Sequence, residues 1–179
     1  MRYAVELFFD EEMEQRILTY AKRIAEEKLS TKYLEWTPRP HMSLACFNDV
    51  DEEKATELLK SFAQTHQPLP AYIGSVGMFT DTKTIFLSPI MTAPMYQVQK
   101  ELHECMNEFD TKGQEWYLPN RWVPHIGVAL MSEDEPEAYF KACDLVLREF
   151  HKHSGTFAKI SLVKVTFPVE EICTFNLGE

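Results

Sequence analysis

The stretch PRPHMSLACF at residues 38–47 has a partner in WVPHIGVAL at residues 122–130. Each contains Pro-His, then an aliphatic residue, a small residue, a second aliphatic residue and Ala, and His125 lies 84 residues after His41. Bounded by prolines and rich in apolar residues, both read as short strands. Side chains alternate faces along a strand. His41, Ser43 and Ala45 are therefore expected on one face and Met42, Leu44 and Cys46 on the other. In the later copy Ile126, Val128 and Leu130 form the apolar face, leaving His125, Gly127 and Ala129 opposite. Both histidines fall on the face turned away from the core.

The offset extends well beyond the two motifs. Residues 3–9 alternate as a strand, and residues 10–29 repeat apolar positions Ile17, Tyr20, Ala21 and Ile24 at helical spacing behind Asp10 as a cap. A polar loop broken by Pro38 and Pro40 leads into the first motif. Residues 51–66 make a second amphipathic helix with acidic residues in its first turn. AYIGSVGMFT and TIFLSP flank the turn DTK as a hairpin. The order then restarts: a helix over 95–109, a proline-containing loop over 111–124, a strand over 125–130, a helix over 135–151, and strands over 156–167 and 171–177. Two such units predict an α+β fold with two pseudo-twofold-related lobes in a single domain over residues 1–179. Each lobe is expected to be an antiparallel-rich sheet with helices on its outer face, the motif strands lining a central groove. Two long copies do not make a solenoid.

Composition narrows the function classes. With 179 residues, 45% hydrophobic, 12% aromatic and 26% charged, the chain can bury a substantial core. A formal net charge of −10 opposes binding of a long polyanion, whose affinity comes largely from phosphate neutralisation. A nucleic-acid substrate is thus expected to be small, such as a terminus or a cyclic nucleotide. No segment reads as a signal peptide or a membrane span, so a cytoplasmic location without membrane association is expected. The four cysteines lack Cys-x-x-Cys spacing and read as reduced thiols. No metal is expected, since Cys46 should face away from the histidines and no carboxylate stands at ligand spacing beside them. No cofactor is expected either, because six glycines compose neither a phosphate loop nor a dinucleotide fingerprint.

Two opposed imidazoles suit phosphodiester cleavage, in which one proton leaves the attacking oxygen while another reaches the departing one. A hydroxyl two residues after a histidine can hold a non-bridging phosphate oxygen. Paired PHMSLA and PHIGVA resemble the two His-x-Ser/Thr motifs of the two-histidine (2H) phosphoesterase superfamily, which includes the bacterial 2'-5' RNA ligase-like proteins. The GMFT/TIFLSP hairpin and the RWVPH approach also fit, so the resemblance covers nearly the whole chain. It implies metal-free 2',3'-cyclic phosphodiesterase chemistry, or related RNA end processing, on a nucleotide or short RNA end. His41 and His125 would be the catalytic pair, one acid and one base, and Ser43 a phosphate contact. Gly127 departs from the pattern by lacking a hydroxyl. That makes a non-catalytic nucleotide or RNA-end binding protein the alternative.

Further residues are candidates for substrate binding. Arg39 and Arg121 could neutralise phosphate or be solvated loop residues. Trp36, Tyr117 and Trp122 could stack on a base, with loop or core packing as the competing role. Glu6 suits a solvated edge position, with orientation of a histidine as the alternative. His66, His103, His151 and His153 read as surface or capping residues.

Overall fold

Seven strands and five helices alternate along the chain in the computed structural model, which describes residues 2–36 and 39–179. Pro38, read as a loop breaker, lies outside the described residues. The order is β1 (Tyr3–Phe9), α1 (Glu11–Glu26), α2 (Lys32–Trp36), β2 (His41–Phe47), α3 (Glu52–Thr65), β3 (Leu69–Phe79), β4 (Thr84–Pro89), α4 (Ala93–Cys105), a 3-10 turn (Glu115–Tyr117), β5 (Ile126–Leu130), α5 (Pro136–Glu149), β6 (His153–Lys164) and β7 (Glu170–Asn176). Asp10 caps α1 by accepting from the Met13 amide, and Asp51 caps α3 by accepting from Lys54. Thr92 caps α4 ahead of Pro94, starting that helix earlier than the apolar spacing predicts. Helix α2 falls where a polar loop is expected.

All strand pairings are antiparallel, in the order β2-β1-β6-β3-β4-β5, with β7 paired to the far end of β6. The class is thus α+β, as expected, and the strands form one continuous sheet in which β6, from the second half of the chain, lies between β1 and β3 of the first. Under the sequence offset β1 corresponds to β4, β2 to β5 and β3 to β6, so the strand order reads alike from either edge. The two edges, β2 and β5, nevertheless approach one another, so the sheet curls and brings both motif strands to a common space.

The main core lies between sheet and helices. Val5, Leu7, Met42, Leu44, Leu87, Ile126 and Leu162 meet the apolar stripes of α1, α3, α4 and α5. The packing is exchanged between halves: α1 lies against β5 and α5, while α4 lies against β2 and α3. Burying a side chain the size of Ile17 or Leu102 stabilises by about 1.5–3 kcal/mol, and here that gain depends on the other half being present. A smaller cluster of Ala4, Phe8, Cys46 and Val163 occupies the opposite face of the sheet.

Strand alternation is interrupted at one matched place in each motif. Along β1 the partners run Val5↔Ala45 and then Glu6↔Ser43, skipping Leu44. Along β4 they run Ile85↔Ala129 and then Phe86↔Gly127, skipping Val128. These are β-bulges, which insert one unpaired residue and reverse the facing of the residues beyond it. The expected faces therefore need correction: Ala45 and Ala129 belong to the helix-side core, and Cys46 moves to the face of His41.

Candidate active site

His41 opens β2 and His125 immediately precedes β5, so each sits where its chain leaves a proline-bounded approach and enters the sheet. Both rings are anchored in the same way. Nδ1 of His41 donates to the Arg39 carbonyl at 3.0 Å, and Nδ1 of His125 donates to the Val123 carbonyl at 2.8 Å. A carbonyl oxygen only accepts, so the Nδ1 proton is fixed in both rings and Nε2 is the nitrogen left for chemistry.

The surroundings of the two rings differ. Glu6 Oε1 lies 3.4 Å from His41 Nε2. Since β1 runs between β2 and β6, the solvated edge position considered for Glu6 is corrected: its side chain is only 7% exposed. Burial pushes the Glu6 carboxyl above the usual carboxylate range, while the neighbouring His41 charge pulls it back. With Nδ1 bonded to the Arg39 carbonyl, Nε2 is the His41 nitrogen that faces the Glu6 carboxyl.

A carboxylate pairs with His41, whereas among the described residues none pairs with His125. Its ring meets Phe79 edge-on at 4.9 Å and Phe86 at 5.6 Å, with Tyr117 at 6.3 Å. Burial pushes this imidazole below the ordinary histidine value, only partly offset by its bond to Val123, and the His41 charge lowers it further. The Phe86 ring lies over Gly77, where a Cβ would come within 2.3 Å of its Cζ. Glycine at 77 is what admits this wall of the cage.

The remaining sequence candidates divide. Ser43 is opposite Glu6 on the groove face and is 8% exposed. Gly127 is opposite Phe86, on the groove face of the other motif. Arg39 spans the groove margin, donating to Glu14 at 2.8 Å and lying 3.9 Å over the Phe8 ring, with Glu171 at 3.5 Å. Trp122 is buried in the main core and donates its indole N–H to the Ser43 carbonyl at 3.0 Å. It thus closes the free edge of β2, and its buried ring has no face left for a base. Trp36 is exposed and touches Phe167, and Arg121 is exposed. Cys46, although on the histidine face, is a buried thiol whose titration burial pushes upward, so it stays protonated. Among the described residues no cluster of three His, Cys, Asp or Glu side chains could hold a metal ion.

Three further residues shape the site. Gln99 and His103 of α4 both reach the carbonyl of Leu44, the bulged residue, and that of Tyr117. They fix the first bulge to the turn that carries Tyr117. Tyr33 of α2 is 5% exposed, and its hydroxyl has no hydrogen-bond partner among the described residues. Such an orphan costs about 1–3 kcal/mol. The sequence signal for the two tyrosines is the offset itself, because Tyr117 lies 84 residues after Tyr33.

The fold and sequence can be placed among known proteins. The chain aligns over its whole length with Escherichia coli LigT solved with 3'-AMP, at 12% identity, 99% and 98% coverage of the two chains and a TM-score of 0.61. LigT solved with ATP gives 12% identity, the same coverage and a TM-score of 0.59. TT0787 of Thermus thermophilus gives 16% identity, the same coverage and a TM-score of 0.63. No curated protein matches the sequence significantly. At these identities the likeness concerns the fold. Residues 10–173, which include both motifs, match the sequence profile of the 2'-5' RNA ligase superfamily, and the chain belongs to that family.

Proposed function

We propose that the protein is a metal-independent phosphoesterase that hydrolyses a 2',3'-cyclic phosphate, or a 2'-linked phosphodiester, of a nucleotide or short RNA end. The observation that carries this reading is the matched anchoring of His41 and His125, which leaves one Nε2 from each motif for a shared phosphate. Nucleotides bound to LigT, such as 3'-AMP, make this substrate class a natural one to test. The net charge of −10 favours a small substrate over a long polyanion. A reducing, cytoplasmic setting suits the four free cysteines.

The two environments favour a division of roles. His125, neutral at neutral pH, takes a proton from the attacking water through Nε2 as the water oxygen bonds to phosphorus. The proton held by His41 and Glu6 passes to the ribose oxygen as its bond to phosphorus breaks, opening the ring to a phosphomonoester. Ser43 donates to a non-bridging oxygen, where charge grows in the transition state. Arg39, ion-paired with Glu14 and Glu171, would have to exchange those partners to reach a phosphate. Each proton transfer contributes about 10²–10⁴-fold.

The test is incubation with adenosine 2',3'-cyclic phosphate, with and without a chelator, following formation of adenosine monophosphate. Turnover that is bell-shaped in pH and indifferent to chelator is expected. Gly127 favours a second reading, a nucleotide or RNA-end binding protein without turnover. Tight binding of adenosine monophosphate with no hydrolysis of the cyclic ester would establish that reading instead.

A further inference from the structure

The second motif lacks a hydroxyl at Gly127, and something else occupies the space. A Cβ on residue 127 would lie 3.3 Å from Cε2 of Tyr33, 3.9 Å from its Cδ2 and 3.9 Å from Thr84 Cγ2. The Tyr33 ring therefore lies tightly against this position, so that a Cβ there would have to displace it by a few tenths of an ångström, and its hydroxyl sits two bonds beyond the contacting carbon. That hydroxyl is buried and has no hydrogen-bond partner among the described residues. Burial, and after it the Glu6 carboxylate that lies 3.4 Å from His41, raise the affinity of this phenol for its proton. It reaches this position because α2 packs on β5, crossing from the first half of the chain to the second.

We propose that Tyr33 supplies from the opposite half the hydroxyl that the second motif lacks, donating to a non-bridging oxygen of the phosphate held between His41 and His125, and that residue 127 is glycine to admit its ring. This rests on the phosphoesterase reading. A phenol in this position is a donor and not an acid or nucleophile, because burial and the nearby carboxylate keep it protonated. The orphaned O–H is then a group waiting for an acceptor that arrives with the substrate. Tyr117, its counterpart at the same offset, is already engaged beside Cys46, so the two tyrosines are not equivalent.

The experiment compares wild type, Tyr33→Phe, Tyr33→Ala and the double variant Tyr33→Ala/Gly127→Ser on adenosine 2',3'-cyclic phosphate. Tyr33→Phe keeps the ring and should lower kcat roughly ten- to a hundredfold, the value of one charge-assisted hydrogen bond. Its thermal unfolding midpoint should be unchanged or higher, since a buried polar atom without a partner is removed. The double variant should turn over faster than Tyr33→Ala, because the vacated ring space admits the serine. An unchanged or raised rate in Tyr33→Phe overturns the proposal and makes Tyr33 a space-filling ring. If wild type binds adenosine 2'-monophosphate without hydrolysing the cyclic ester, the phosphoesterase reading fails alone, and calorimetry with that nucleotide decides the role of Tyr33. A Kd about tenfold weaker in Tyr33→Phe then supports the phosphate contact, and an equal Kd overturns it. A wild-type chain that neither hydrolyses nor binds defeats both ideas.

Discussion

The two ends of the groove have the same backbone and opposite chemistry. Each motif strand begins at a histidine, bulges three residues later and anchors Nδ1 to the carbonyl two residues back. Yet the residue opposite the small motif position is Glu6 in one half and Phe86 in the other. One histidine lies beside a buried carboxylate and the other within aromatic rings. Repetition delivers two matching ring anchors, and their neighbours then differ: a carboxylate stands beside His41, while burial among aromatic rings lowers the affinity of His125 for its proton.

The largest test removes each ring. His41→Ala and His125→Ala should each lower turnover of a cyclic phosphate by about 10²–10⁴-fold, with much smaller losses in adenosine monophosphate binding. The comparison sharpens with a nucleotide p-nitrophenyl phosphodiester, whose leaving group needs no acid. On that substrate His41→Ala should recover most of its rate and His125→Ala should not, as read from release of p-nitrophenol. Equal losses on both substrates would erase the distinction between the two ends.

Next in size is Glu6→Gln, which keeps shape and removes the charge beside His41. Turnover should fall roughly ten- to a hundredfold, the value of a charge-assisted contact. The folded chain protonates Glu6 more readily than the unfolded one does. Its contribution is therefore fully present below the ordinary carboxylate value of 4.5 and is lost as pH rises through the raised folded value. Denaturant titrations across that window should show the decline in wild type and its absence in the variant.

Smaller effects are expected at the aromatic end. The acid limb of kcat/KM should lie below the ordinary histidine value of 6.5, because His125 acts as base with a lowered affinity for its proton. Phe79→Ser, which admits water, should move that limb upward toward the ordinary value. Gly77→Ala should cost about 1–3 kcal/mol of stability by forcing the Phe86 ring off its seat, with a modest drop in rate. A rate untouched by displacement of Phe86 would show that this wall does not tune His125.

Much of this was legible in the sequence because it rests on periodicity. The caps at Asp10 and Asp51, the helical stripes and the duplicated Pro-His strands follow from local rules, and the offset places β2 against β5 in role before any contact is known. The features that escaped depend on partners across the sheet. A bulge has no signature in HMSLACF or IGVAL, so strict alternation misplaced Ala45, Cys46 and Ala129. Whether Glu6 is at an edge depends on β6 arriving from the far end of the chain. Trp122 and Tyr33 are aromatic residues in the segments that approach the motif strands, and only tertiary packing sends one to the free edge of β2 and the other over Gly127.

The exchange of helices between halves bears on where such a groove could come from. Since α1 packs on β5 as well as on β1, and α4 packs on β2, each half buries part of its apolar surface against the other. A half-length chain would regain those contacts by pairing with a second copy of itself. In a twofold-symmetric dimer the two copies of every residue share one environment, so both histidines would have had the same partner, either two carboxylates or none. A single polypeptide carrying both units is free of that restriction: Glu6 can stand on one side only, and a tyrosine on α2 can make one motif hydroxyl dispensable while Ser43 keeps the other.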